Sequence, residues 1–372
     1  MRELWTKEQA WAWYNSKPWI RGCNFMGSDC ANRIERWQEH KFEEKLETAD
    51  REFALMASIG FNSIRLILEF QVWDRQHDSF MEHLERYLET AHKYGISTML
   101  VLSNELEVRG NTFEPAVFGE QPWLLGYHGG RKPVGIGHGD DCRYHFLDYP
   151  DAAGRYYCMV EEVISKYRND ERVLVWNLMN EPGNGRGSKS LKHLKKFFEI
   201  GRRIDPIQPL CADVWRGMVN GKATTEIEQY ALDNSDIISY HCYENFEKSI
   251  LHIQQIKSLG RPAMNTEWLN RCKGNNVMEL FPLFYLENIG CYNWGFVAGK
   301  YQTSEPYAGI WDTFEKEGYD HPTSWDVTKW MHDLYRLGGR FPYDPKEIAL
   351  IQRITAYADK TFNMRVEADE FV

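Results

Sequence analysis

The stretch Val173-Leu174-Val175-Trp176-Asn177-Leu178-Met179-Asn180-Glu181-Pro182 decides the fold. Its first seven residues are almost all apolar, without the polar alternation that would leave one face wet. A short run of this kind reads as a strand covered on both faces, as in a parallel sheet. Tyr156, Val160, Val163 and Tyr167 precede it at helical spacing, and another helical pattern follows over 191–204. The unit is helix, buried strand, helix, with the triplet Asn180-Glu181-Pro182 where the strand ends.

The same unit recurs in both directions. Phe42, Leu46, Ala49, Phe53 and Met56 mark a helix stopped by Gly60, ahead of the run 63–68. Met81, Leu84, Leu88 and Ala91 mark a second, closed by Gly95, ahead of a strand over 96–102. Strands at 209–214, 236–242, 262–266 and 291–297 then alternate with helices at 225–232, 250–259 and 276–288, and a last helix is expected over 325–337. With 19–25 as the first strand, the chain carries eight strands and about eight helices. This is the pattern of an α/β protein, a (β/α)8 TIM barrel, expected here as one domain over 1–372. A doubly wound open sheet competes, but its first strand usually leads into a Gly-rich turn. Gly22-Cys23-Asn24-Phe25-Met26-Gly27 does not have that spacing. The irregular stretch 104–149, rich in Gly, Pro and His, follows the third strand. A loop this long is usually functional, and in a barrel it sits over the face that carries active sites.

Composition narrows the function. The 372 residues carry a net charge of −10, which argues against a nucleic-acid partner. A hydrophobic content of 43% excludes disorder. No run approaches the roughly 20 apolar residues of a membrane span, and 1–8 lacks the apolar core of a signal peptide. The expected location is cytoplasmic, or secreted or periplasmic if a leader has been removed. None of the eight cysteines stands in a C-x-x-C pair, so free thiols are expected rather than disulfides or zinc. No metal and no cofactor are expected. The 14 tryptophans mean an aromatic core, rings offered to a ligand, or both.

In a barrel the catalytic candidates are polar residues at the C-terminal ends of strands. In order these are Arg65; Asn104 and Glu105; Asn180 and Glu181; Asp213 and Trp215; His241 and Tyr243; Glu267 and Trp268; and Asn293 and Trp294. Glu181 and Glu267 are carboxylates that end long apolar strands on opposite sides of the mouth. Two carboxyl groups across a sugar-sized gap are the usual equipment for breaking a glycosidic bond. One gives a proton to the leaving oxygen while the other attacks the anomeric carbon or activates water.

Trp176-Asn177-Leu178-Met179-Asn180-Glu181-Pro182 resembles the Asn-Glu-Pro acid/base motif of the clan A retaining glycoside hydrolases, closest to family 5. Arg261-Pro262-Ala263-Met264-Asn265-Thr266-Glu267-Trp268 resembles that clan's nucleophile strand, and the likeness runs from about 19 to 297. The resemblance implies Glu181 as acid/base, Glu267 as nucleophile, and Asn180 on the sugar 2-hydroxyl. It implies that Arg65 and Tyr243 keep Glu267 ionised, that His241 meets Glu181 or a sugar hydroxyl, and that Trp294 floors the reacting sugar. It implies a carboxyl separation of about 5–5.5 Å. Many family 5 enzymes carry a histidine at the end of the third strand, where this chain reads Leu102-Ser103-Asn104-Glu105. Asn104, Glu105 or a loop histidine takes that place.

The substrate implied is a β-linked gluco-, manno- or xylo-type oligo- or polysaccharide, uncharged. Trp215, Trp268 and Trp294 are candidates for stacking on sugar, with Trp123 on the long loop and Trp37 and Trp73 at the rim. Trp19, Trp176 and Trp325 are assigned to packing. One rival is a non-catalytic carbohydrate-binding barrel, which would lack one carboxylate. Another is a metal-dependent barrel, which would carry acids at successive strand ends and lose activity with chelator. The long loop, by walling off one end of the cleft, would favour short or terminal substrates. Oligomeric state and linkage are not legible.

Overall fold

Eight strands run parallel and close on themselves. The computed structural model describes residues 2–106, 117–121, 145–317 and 325–369. Strands β1 (Arg21–Asn24), β2 (Ser63–Ile67), β3 (Ser97–Val101) and β4 (Val173–Asn177) follow one another in the sheet. The fifth barrel strand is interrupted: β5 (Leu210–Cys211) pairs with β4, whereas β6 (Asp213–Val214) pairs on the other side. After the small hairpin of β7 (Met218–Val219) and β8 (Lys222–Ala223) come β9 (Ile238–His241), β10 (Ala263–Trp268) and β11 (Gly290–Trp294). The sheet order is β5-β4-β3-β2-β1-β11-β10-β9-β6, so its two ends are halves of one strand joined through Ala212. The result is a (β/α)8 barrel.

The outer helices form where the periodicity places them: α3 (Phe42–Ser58), α5 (His77–His92), α6 (Pro150–Tyr167), α7 (Leu191–Ile204), α8 (Glu226–Asn234), α9 (Phe246–Ser258) and α10 (Val277–Leu286). Thr225, Asn245 and Asn276 cap the starts of α8, α9 and α10, each side chain accepting a backbone N–H three residues on. Gly60 and Gly95 follow α3 and α5 with φ of 85° and 70°, the left-handed stop that glycine adopts freely. The helices α1 (Lys7–Asn15), α2 (Arg33–Trp37), α4 (Phe70–Arg75) and α11 (Ala308–Glu317) are additions to the expected set.

Two apolar layers hold the barrel. The larger lies between strands and helices. The smaller fills the interior with Ile20, Met99, Leu174, Val175, Cys211, Met264 and Tyr292, and α1 plugs its lower end with Ala10 and Tyr14. Trp11 of that plug donates to Gly260 O at 3.1 Å, and Tyr14 to Asn288 O at 3.3 Å. Each tie falls just before a strand begins, so the face opposite the plug carries the strand ends.

The expected helix over 325–337 is not formed, and the last helix is α12 (Pro345–Asp369). Val327, Met331 and Leu334 have helical spacing, but tertiary partners claim this backbone. Met331 N bonds Ser304 O, Leu334 N bonds Phe296 O, and Tyr335 pairs with both Val297 and Pro342. Hydrogen bonds to neighbouring segments replace those a helix would have made.

The described cysteines, Cys23, Cys30, Cys158, Cys211, Cys242, Cys272 and Cys291, are free thiols, while Cys142 lies outside the described residues. Trp123, His128, His138 and most of the 104–149 loop likewise lie outside them. Among the described residues no helix is long and apolar enough to cross a membrane. Closing the barrel brings β1 and β2 together so tightly that a Cβ on Gly22 would meet Ser63 O at 1.7 Å. Gly22→Ala is therefore expected to destabilise by about 3 kcal/mol or more, seen as a lowered denaturation midpoint. An unchanged midpoint would mean the strands are not so closely apposed.

Candidate active site

Arg65 projects from β2 and is fully buried. A buried guanidinium must spend its donors on acceptors. Nη1 donates to Asn24 Oδ1 at 2.8 Å and Glu267 Oε1 at 2.9 Å. Nη2 donates to Asn180 Oδ1 at 2.6 Å and Asp213 Oδ2 at 2.7 Å. One side chain thus gathers the ends of β1, β4, β6 and β10.

Asp213 is the hub on the opposite side. Its Oδ1 accepts from Asn177 Nδ2 at 2.6 Å and from the Ser239 hydroxyl at 2.5 Å. Burial works against its charge, but Arg65, His241 and Ser239 outweigh burial and hold its carboxyl well below the ordinary range.

His241, at the end of β9, has carboxylates against both ring nitrogens. Nδ1 lies 2.9 Å from Glu181 Oε1 and 3.4 Å from Glu267 Oε2, and Nε2 lies 3.4 Å from Asp213 Oδ2. A neutral ring would turn a lone pair towards one of these anions. Burial favours that neutral ring, but the three carboxylates prevail and push its pKa up to about 10. Carboxylates on both sides of the ring thus favour its charged form.

Glu267 is positioned by an irregularity in β10. Asn265 faces Tyr240 and Glu267 faces His241 on β9, so two steps of β10 match one of its neighbour. This bulge turns consecutive residues, Thr266 and Glu267, to the inside. Thr266 meets the Ser239 hydroxyl at 2.8 Å, and Glu267 takes Arg65 on Oε1 and the Tyr243 hydroxyl on Oε2 at 2.8 Å. Burial pushes the Glu267 carboxyl above the usual range and Glu181 adds to this, against the pull of His241, Arg65 and Tyr243. Arg65 and Tyr243 therefore favour the charged form as expected, against the opposing effect of burial.

Glu181 follows β4 with a left-handed φ of 45°, a strained conformation for a residue with a side chain. Its Oε1 meets His241, and its Oε2 accepts from Asn184 Nδ2 at 2.6 Å. Asn180 accepts from Arg65 and donates to Asn104 Oδ1 at 3.0 Å. Glu181, His241 and Glu267 bring a polar atom each within 4.8 Å of one another. That spacing would also admit a cation.

Among the aromatic residues, Trp294 lies with Tyr243, Tyr301, Ile67 and Val101 beside Arg65. It helps line a small cavity that reaches Asn24, Phe25 and Met26. Trp215 is half-buried at the mouth; its Nε1 donates to Pro182 O at 3.1 Å and the Arg216 guanidinium sits 4.7 Å from its ring. Trp268 does not face the cleft. The bulge turns it outward onto Phe281 and Phe284 of α10, where it is 1% exposed and cannot stack on sugar.

Trp37, buried against Phe80 and Tyr87, and Trp73, bonded to Glu162, are wall residues and not rim. Trp19 and Trp176 are buried, and Trp325 is half-buried beneath Lys273. Glu105 is withdrawn as well: it is buried and paired with Arg186 at 2.7 Å. The loop histidine within the described residues, His145, is buried behind Asn104, and burial with the nearby Arg186 lowers its pKa to about 3. Among the described residues, Asn104 is therefore the candidate for the third-strand position that touches the site, while His128 and His138 lie outside them.

Asn24 and Asn184 belong to the network although sequence reasoning did not single them out, and Asp213, named there as a strand-end candidate, was given no role. Asp213 carried a signal: a lone acid inside the apolar run Leu210-Cys211-Ala212-Asp213-Val214 must find partners when buried. Asp213→Ala strands Arg65 and His241, and a loss of about 3–5 kcal/mol in denaturant unfolding is expected. A loss below about 1 kcal/mol would show that other groups neutralise them.

Comparison with known proteins fits this geometry. No curated protein matches the chain. The chain resembles the exo-β-1,4-mannosidase Op5Man5 from Opitutaceae bacterium strain TAV5, with a TM-score of 0.57 and 13% identity over 92% of this chain and 60% of that one. It thus spans less than two thirds of that relative's length. It also resembles the family 5 mannosidase of Rhizomucor miehei (TM-score 0.54, 13% identity, 93% and 94% covered). A third likeness is to the β-1,4-mannanase of the common sea hare Aplysia kurodai (0.53, 14%, 75% and 88%). At these identities the likeness is one of fold. The family model for cellulase, glycosyl hydrolase family 5, matches residues 20–328. The chain belongs to glycosyl hydrolase family 5.

Proposed function

We propose that this glycoside hydrolase cleaves β-linked neutral sugars with retention, by double displacement between Glu181 and Glu267. The observation that carries the reading is that both carboxylates meet across His241, whose Nδ1 lies 2.9 Å from Glu181 Oε1 and 3.4 Å from Glu267 Oε2. Two carboxyl groups facing one gap at the strand ends are the equipment of a glycosidase, and the family's retaining mechanism makes Glu267 the nucleophile. Glu267 attacks the anomeric carbon while Glu181 protonates the departing oxygen, giving a glycosyl ester on Glu267. Glu181, now ionised, takes a proton from water as that water attacks the same carbon and releases Glu267.

The surroundings support these roles. Arg65 and Tyr243 occupy the Glu267 oxygens and fix the direction of attack. The His241 ring lies against both carboxylates, so it follows whichever of them is ionised. Asn180, held by Arg65 and Asn104, is poised for a sugar hydroxyl. Trp294 and the adjoining cavity supply an apolar floor. The similar structures named as mannosidases and a mannanase make β-mannosides the first substrates to test, beside β-glucosides and β-xylosides.

Glu181→Gln and Glu267→Gln, assayed on aryl β-glycosides, are each expected to lose at least about 10²–10⁴ of turnover. Unchanged turnover in both would leave a binding barrel as the better reading. Proton NMR of the first product should show the β-anomer before mutarotation; the α-anomer would indicate inversion. Because burial raises the Glu267 carboxyl and the nucleophile must be ionised, activity should fall with decreasing pH at a point above the ordinary glutamate value of about 4.3. An acid limb at or below that value would contradict this. Chelator should leave activity intact.

A further inference from the structure

The loop that follows Glu181 is shaped around one contact. Gly183, Gly185 and Gly187 adopt left-handed φ of 82°, 69° and 58°. A Cβ at Gly183 would lie 2.7 Å from Gly187 O, so the chain doubles back more tightly than a side chain permits. Within the turn, Asn184 N bonds Glu181 O at 3.0 Å and Gly187 N bonds Gly183 O at 2.9 Å.

Arg186 fastens the far side of the loop. It reaches Glu105 Oε2 at 2.7 Å, where both side chains are buried, and Asp148 Oδ1 at 2.7 Å. The outcome is that Asn184, half-buried, delivers Nδ2 to Glu181 Oε2 at 2.6 Å.

We propose that Asn184 is a positioning residue for the acid/base, clamping the Glu181 carboxyl plane together with His241. Each donor occupies one lone pair of a different oxygen. A carboxyl held at both oxygens cannot rotate, and the remaining lone pairs keep a fixed direction towards the cleft. Orientation of this kind matters most when the proton must arrive in step with a poor leaving group. The inference rests on the reading of Glu181 as the acid/base. It also gives the buried Glu105–Arg186 pair a use, as the anchor of the loop.

Among the described residues, the titratable groups around Glu181 are His241 from β9, Glu267 from β10, Arg65 from β2, and Tyr243 and Tyr307 from the loops beyond. None of them changes in an Asn184 variant. The test compares phenyl with 2,4-dinitrophenyl β-mannosides and β-glucosides, the former needing acid assistance and the latter not. Asn184→Ala should lose about tenfold in kcat/KM on the phenyl substrates and less than about twofold on the dinitrophenyl ones. Asn184→Asp, which puts a second carboxylate against Glu181, should move the basic limb of the pH profile up by about one unit or more.

Equal losses on both leaving groups with an unmoved basic limb would overturn the proposal and leave Asn184 a loop-shaping residue. Glu181→Ala in the same panel separates the two levels. A leaving-group-dependent loss there, with a uniform loss in Asn184→Ala, defeats the Asn184 role alone. A uniform loss in Glu181→Ala defeats the acid/base assignment and this proposal with it.

Discussion

A guanidinium cut off from water dominates the mouth of this barrel. Arg65 has no exposed surface, and four acceptors from four different strand ends close around it. Leaving any of them unpaired would cost more than an ordinary hydrogen bond contributes, because the charge is already desolvated. The strand ends are thus held in mutual register by one buried charge. Asp213 completes the arrangement by facing both Arg65 and His241.

Opposite charges are packed closely around the two glutamates. Arg65 and the His241 ring face three carboxyl groups: Asp213, Glu181 and Glu267. Arg65, His241 and Ser239 hold the Asp213 carboxyl well below the ordinary range. The proposed double displacement needs one glutamate protonated and the other ionised. His241 is shared between the two glutamates, and its ring remains in contact with the pair as the proton leaves one and returns.

Much of this was legible in the chain because parallel strands buried on both faces leave little ambiguity. Polar residues that end such strands must point into the barrel mouth, and by that rule Glu181, Glu267, Arg65, His241 and Tyr243 are expected together, as the fold places them. The failures have local causes. The bulge in β10 reverses the alternation after Asn265, so Trp268 is in the wall when simple counting puts it in the cleft. Glu105 looked like a site acid, but Arg186, more than 80 positions away in the chain, draws it into a buried pair. The segment 325–337 has helical spacing, yet the edges of 296–304 capture its backbone. Asn184 sits in a loop without periodicity, where only the glycine pattern hints at a purpose.

The tryptophan excess now divides sharply. Trp294 stands in the cleft and Trp215 at its rim, while Trp19, Trp37, Trp73, Trp176 and Trp268 serve packing. The measurement that bears most directly on the chemistry is covalent trapping with an activated 2-deoxy-2-fluoro-β-glycoside, followed by peptide mass mapping. Stoichiometric glycosylation of the peptide carrying Glu267, absent in Glu267→Gln, is the predicted result. Labelling of another residue, or turnover with no accumulating adduct under saturating inhibitor, would contradict a nucleophilic role for Glu267.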